Sequence, residues 1–286
     1  MMFGNHPYGR DPLGGVDSVS TLKAKYIEDF LSQVLNSKNL VLAVAGDFNP
    51  KEWIKKIEKI TERITMNSSK LKLGQVNNKI SMPELSQNKQ TFIETKKSQA
   101  HLALAYPGIS FHDKDRYSLE ILQAVLSGQG GRLFVELRDK ASLAYTVAPI
   151  RMDGLERGYF GAYIGCSPEK VDTAYRMMLV EFKKLIENFV PAAELERSKM
   201  FLTGRHDISL QRASTIADHL FFNQLYELPP KEFENYNANI QAVTSKDIQK
   251  VAERIFTQHF VLSIVGAKDI VKSETISVQT RPAELI

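Results

Sequence analysis

One pattern occurs twice in this chain, and it limits the fold more than any other feature. VSTLKAKYIEDFLSQVLNSKNLVLAVAGDFNPKE, from Val19, reads as a helix, an apolar strand ending at Gly46, and a turn into another helix. VTSKDIQKVAERIFTQHFVLSIVGAKDIVK, from Val243, reads the same way, so that Leu40–Gly46 aligns with Phe260–Gly266 at an offset of 220 residues. Self-similarity at a fixed offset is the mark of a duplicated unit. Two ordinary helix–strand units of one α/β sheet would also produce it. Under duplication the second copy begins near residue 90 and passes Gly266, while the first keeps only its last third, so the chain is expected to start within a domain.

Between the copies, TMNSSKLKLGQVNNKISMPELSQNKQ is polar, rich in Asn, Ser and Lys, and without sustained periodicity, as a linker should be. The expected division is a domain remnant at 1–64, a linker at 65–90 and a complete domain at 91–286.

Within 91–286 the periodicities alternate between the two regular structures. QAHLALAYPG (99–108) has strand alternation that stops at Pro107-Gly108, and DRYSLEILQAVLSG (115–128) places Leu119, Leu122, Val125 and Leu126 at helical spacing. LAYTVAPIRMDG and GYFGAYIGCS, parted by a short turn after Gly154, predict a β-hairpin. Ser167 and Pro168 predict a capped helix start, with Val171, Ala174, Tyr175, Met178, Phe182, Leu185, Ile186 and Phe189 as one apolar stripe. Helices at 191–211, 212–227, 230–242 and 245–257 precede a closing strand at Phe260. Strands followed by a run of helices predict an α+β fold, a mostly antiparallel sheet with helices packed on one face.

Composition narrows the function classes. A chain 43% hydrophobic and 24% charged can bury a sizeable core as a soluble protein. Its net charge of +4 is spread along the sequence, which argues against a nucleic-acid or membrane-surface partner. No apolar run approaches the roughly 18 residues of a membrane span, and MMFGNHPYGRDPLGGVDS has neither the basic nor the apolar region of a leader. Cys166, the only cysteine, excludes an intrachain disulfide framework and reads as a small buried thiol.

Three groups of residues could carry chemistry. Gly128, Gly130 and Gly131 follow a helix rather than a strand and no Lys-Ser or Lys-Thr follows them, so they suit a helix end and tight turn better than a phosphate cradle. The six histidines, His6, His101, His112, His206, His219 and His259, never fall in HxxH, HxxEH or HExxH spacing, and His206 and His219 read as lone structural histidines on helices. Arg138 and Tyr145 stand on either side of one turn, between a short helix at 131–139 and a strand at 143–150. A guanidinium fork and a phenol are both donors, so a loop that converged them could hold peptide carbonyls or a developing oxyanion. An exposed arginine and a half-buried strand tyrosine fit the same spacing.

RLFVELRDKASLAYTV, with YPGISFHDKDRYSLEILQAVLSG before it and GYFGAYIGCSPEKVDTAYRMMLVEFKKL, ELERSKMFLTGRHDIS, RASTIADHLFFNQLYELP and AVTSKDIQKVAERIF after it, resembles the C-terminal, inactive domain of the M16 (pitrilysin or insulinase-type) zinc metallopeptidases. NHPYGRDPLGG and LVLAVAGDFNPKEWIKKI resemble the end of the family's zinc-bearing N-terminal domain, so the likeness spans nearly the whole chain. The resemblance implies the LuxS/MPP-like metallohydrolase fold, with two homologous α+β domains enclosing a peptide chamber. Zinc is then expected on an HxxEH helix absent from this chain. YSLEILQAVLSG stands where that helix would be, without its histidines and glutamate, so this chain alone is expected to be inactive and to bind no cofactor. By the same resemblance Arg138 and Tyr145 reach the scissile region of a bound peptide. The implied partners are a peptide or unfolded polypeptide and a zinc-bearing M16 domain in cis or in trans, and a homodimer is compatible with them. The sequence leaves the compartment open between the bacterial cytoplasm and, if the natural N-terminus carries a signal peptide, the periplasm. A noncatalytic partner subunit, or a scaffold keeping the fold without catalysis, are the alternatives.

Overall fold

The computed structural model describes residues 1–34, 40–68 and 82–267, with the side chains of residue 33 and of 63–68 left aside. Half of the expected linker, residues 69–81, lies outside the described residues, as do the end of the second repeat copy and residues 268–286 of the expected C-terminal domain. The chain divides into two units. One takes in Met1–Gly4, Met82–Ile208 and the chain from Glu234; the other takes in Asn5–Ser81 and Ser209–Phe233.

The first unit is built on a five-stranded mixed sheet. In sequence order the strands are β1 (Lys89–Glu94), β2 (Ala100–Pro107), β3 (Ala144–Met152), β4 (Tyr159–Cys166) and β5 (Val261–Gly266). They lie side by side as β1-β5-β2-β4-β3, with only β1 and β5 parallel. β3 and β4 form the expected hairpin, and β2 lies antiparallel to both β4 and β5. In β2, Ala100, Leu102, Leu104 and Tyr106 are fully buried while His101, Ala103 and Ala105 keep partial exposure. That period-2 alternation is the signature of a sheet with one covered face and one open face.

The described residues of this unit hold five α-helices: α1 (Arg116–Leu126), α2 (Val171–Glu187), α3 (Ala192–Ser209), α4 (Tyr236–Ala242) and α5 (Ser245–Phe256). α2 and α5 pack on each other and on β2, and α1 packs on α5 and β3. An aromatic cluster joins helices to sheet. The rings of Phe182 (α2) and Phe256 (α5) stack at 4.2 Å and 6°, and Tyr106 of β2 meets both edge-on at 5.9 and 5.3 Å. α5 starts with a reciprocal cap in which the Thr244 hydroxyl accepts from the Asp247 N–H and the Asp247 carboxylate accepts from the Thr244 N–H.

Three expectations are corrected. Ser167 makes no capping bond: Pro168–Lys170 form a 3₁₀ turn and the α-helix starts at Val171. Phe189 leaves the apolar stripe because the chain turns extended at Asn188, beyond the last helical residue, and its side chain is 58% exposed. In the second unit, residues 40–46 form no strand, although helices Ala24–Val34 and Pro50–Ser68 flank them. A strand requires a ladder partner, and among its described residues this unit holds no strand to supply one. No described helix is long and apolar enough to cross a membrane.

Candidate functional site

The glycine turn after α1 sets where the next segment can go. Gly128 takes φ +75°, a left-handed conformation in which a side chain is strained. Gly131 is held by close approach instead: a Cβ there would lie 2.1 Å from the Ser127 carbonyl oxygen. Gly130 has open space around it. Arg132 then grips Glu194 of α3 with two parallel bonds, Nε to Oε1 at 3.0 Å and Nη2 to Oε2 at 2.7 Å, both side chains largely buried. A bidentate guanidinium–carboxylate pair fixes orientation as well as distance.

From this anchor the chain winds into a π-helix, Phe134–Lys140, in place of the ordinary short helix expected there. Such wide turns are rare and need tertiary support. Leu137 supplies it by pointing into the core with no exposure. The helix ends at Ser142, φ +51°, where the Ser142 N–H donates to the Arg138 carbonyl at 3.0 Å and the Leu143 N–H donates to the Leu137 carbonyl at 2.8 Å. The closure resembles a Schellman ending widened by one residue, and Lys170 Nζ braces it by donating to the Ser142 carbonyl at 2.8 Å.

β3 begins with a bulge. Ala144 pairs with Cys166 and Thr146 with Gly165, so Tyr145 is the extra residue on the edge strand. A bulge re-aims its side chain away from the regular pleat, and Tyr145 is 61% exposed. Arg138 is exposed too, its guanidinium lying over the Phe134 ring at 4.6 Å. Two backbone bonds thus join the turn of Arg138 to the strand start that carries Tyr145. Neither side chain has a hydrogen-bond or ion-pair partner among the described residues, so a guanidinium fork and a phenol are both available to an acceptor.

The other sequence candidates have structural partners. His206 stacks on Tyr236 at 4.3 Å and His219 on Phe233 at 5.3 Å. Cys166 is fully buried, and burial pushes its thiol up to about 11, away from reactivity. α1 does not fit a metal: its inward face is Ser118, Leu119, Ile121, Leu122, Val125 and Leu126, and its one carboxylate, Glu120, takes the Tyr236 hydroxyl at 2.6 Å. Burial and that carboxylate together hold the Tyr236 phenol protonated. Spacing gave no sign of one further pair, His101 and Tyr163, which are 62 residues apart and hydrogen-bonded at 2.6 Å on the open sheet face.

Substituting the glycines separates these constraints. Gly131→Ala is expected to cost about 2–3 kcal/mol, because the added methyl collides with backbone that must move. Gly130→Ala should stay within about 0.5 kcal/mol of the parent. Urea midpoints of the two variants check this, and equal midpoints would remove the packing role given to Gly131.

Residues 21–202 match the family model described as the peptidase M16 inactive domain. The chain belongs to that family. An uncharacterized zinc protease of Streptomyces coelicolor is 26% identical over 275 residues, which cover 93% of this chain and 58% of that protein. The peptidase M16 inactive domain of Pseudomonas fluorescens superposes with a TM-score of 0.80 at 23% identity, over 93% of this chain and 63% of that one. A protease from Helicobacter pylori gives 0.81 at 20% identity, over 91% and 63%. This M16 chain therefore spans about three-fifths of the length of such relatives.

Proposed function

We propose that this chain is the C-terminal part of an M16 zinc metalloendopeptidase, closing a peptide chamber and contributing substrate contacts to a reaction whose metal is held elsewhere in the full-length protein. Residues 1–64 are then the end of the catalytic-type domain, 65–90 the linker and 91–286 the noncatalytic domain. The observation that carries this reading is the placement of Arg138 and Tyr145, two exposed donors with no hydrogen-bond or ion-pair partner among the described residues, on a π-helix and a bulge joined by backbone bonds. Exposed apolar side chains in the second unit also support it: Ile27, Phe30 and Leu31 share one side of a helix, and Leu40 and Leu42 stand out from the segment that forms no strand. Surface of this kind marks an interface, here with the rest of the catalytic-type domain.

Arg138 and Tyr145 both donate to the carbonyl oxygen of the bound peptide. As that carbon becomes tetrahedral its oxygen gains negative charge, and preorganised donors bind it more strongly than they bound the ground state. Zinc, when bound by its own residues outside this chain, supplies Lewis-acid chemistry at the same carbonyl.

The test is to express the full-length gene product and this chain side by side. The full-length protein is expected to carry HxxEH, to cleave a quenched-fluorescence peptide and to stop when chelated, while this chain with added zinc does not cleave. Cleavage by this chain alone would overturn the reading. A full-length product without HxxEH would replace it with the partner-subunit or scaffold role.

A further inference from the structure

The open face of the sheet has a floor of small residues, among them Ala103 and Ala105 of β2, Gly161 of β4 and Ser263 of β5. Two aromatic side chains rise from it. His101 of β2 and Tyr163 of β4 lie with rings nearly parallel, 17° apart at 5.9 Å, and Nδ1 and Oη meet at 2.6 Å. Gly165, opposite His101 in the register, lies beside the pair: a Cβ there would sit in ordinary van der Waals contact, 3.4 Å from His101 Nδ1 and 3.7 Å from Tyr163 Oη.

The pair has a definite hydrogen-bonding capacity. An imidazole and a phenol carry two polar hydrogens between them, and one is used in their mutual bond. The other remains, on His101 Nε2 or on Tyr163 Oη according to tautomer. Either way the pair offers one outward donor with no partner among the described residues. The neighbours across the strands, Val265 beside His101 and Ala148 beside Tyr163, offer no competing acceptor side chain.

Position ties the pair to Tyr145. Thr146, Gly165 and His101 lie on one rung of β3, β4 and β2, and Tyr145 is the bulged residue just before Thr146. Two interstrand spacings of about 4.8 Å place His101 about 10 Å from that rung's edge. An extended peptide covers this distance in about three residues.

We infer that His101 and Tyr163 form a subsite for a hydrogen-bond acceptor of the substrate peptide, about three residues from the carbonyl held by Arg138 and Tyr145. This rests on the peptidase reading above. The acceptor is a side-chain carbonyl or carboxylate, or the peptide backbone itself, and kinetics distinguishes these sources.

The experiment uses the full-length protein and fluorogenic peptides carrying Asp, Asn or Ala three residues from the scissile bond, on either side. Tyr163→Phe, which removes one hydroxyl, and His101→Phe, which keeps a ring, are each expected to raise KM about tenfold with kcat unchanged. A side-chain acceptor gives that loss for Asp or Asn peptides only and erases their advantage over Ala. A backbone acceptor gives it for all three. Unchanged KM and unchanged ranking in both variants, while Arg138→Ala still lowers kcat, would overturn this subsite alone. If Arg138→Ala and Tyr145→Phe also leave kcat unchanged, the carbonyl-donor role on which the subsite's position rests falls with it, whereas a full-length protein that cleaves none of the peptides removes the peptidase reading itself.

Discussion

Replacing Arg138 by Ala, or Tyr145 by Phe, in the full-length protein is expected to lower kcat by about 100- to 1,000-fold, the loss associated with removing one preorganised oxyanion donor. KM should change much less, because a bond that strengthens only as the carbonyl gains charge contributes little to ground-state binding. Stability should hardly move. Both side chains are exposed and neither has a hydrogen-bond or ion-pair partner among the described residues to leave behind, and substitutions of that kind usually fall within about 0.5 kcal/mol. Arg138→Lys is the sharper control. It keeps the charge and loses the planar fork, so it should recover only part of the rate. The Phe134 ring beneath the guanidinium offers a lysine the same cation–π seat, so any shortfall belongs to the lost fork geometry. Steady-state kinetics on a single quenched peptide, with thermal denaturation of each variant, checks the set. Wild-type kcat in both Arg138→Ala and Tyr145→Phe would exclude the donor role.

How much of this was legible in the sequence depends on whether the determinant was local. β2, α1, the β3–β4 hairpin and β5 follow from period-2 and period-3.6 patterns, because the same alternation that marks them also buries Leu102, Leu104, Leu122 and Ile264. The segment 40–46 is as apolar as β5, yet β5 lies between two strands and 40–46 has none beside it among the described residues of its unit. Composition states that a segment can be a strand, and the ladder decides whether it is. The site shows the same division. The residue types and spacing of Arg138 and Tyr145 were visible, and a family likeness singled them out. The wide helical turn draws its support from Leu137 seated in the core and follows an anchor in which Arg132 reaches Glu194 across 62 residues, and the bulge depends on the register of β4. Neither can be read from residues 131–146 alone. His101 and Tyr163 were hidden for the same reason, since each is unremarkable in its own strand and the pair exists only through the β2–β4 register.

Phe182→Ala is expected to have the largest effect on stability, about 3–5 kcal/mol. The side chain is fully buried at the meeting of three elements, α2, α5 and β2, stacked on Phe256 and edge-on to Tyr106. Truncation removes its transfer free energy, opens a cavity that a helix pair and a sheet cannot both collapse into, and forfeits aromatic contacts worth about 0.5–1.5 kcal/mol each beyond area. A loss of that size is a large part of the 5–15 kcal/mol typical of a whole domain. The Tyr106 hydroxyl, buried without a hydrogen-bond partner among the described residues, moderates that loss. Water entering the new cavity could bond to it, which places the cost toward the lower end of the range. Phe182→Leu keeps most of the volume and should lose less than about 1.5 kcal/mol. Seven of the ten tyrosines lie in the sheet unit, so their near-ultraviolet circular dichroism during denaturant unfolding reads mainly that unit, whereas the fluorescence of Trp53 reads the other. Phe182→Ala should therefore shift the tyrosine transition strongly. An Ala variant no less stable than the Leu variant by that signal would mean that the aromatic cluster is not what joins helices to sheet.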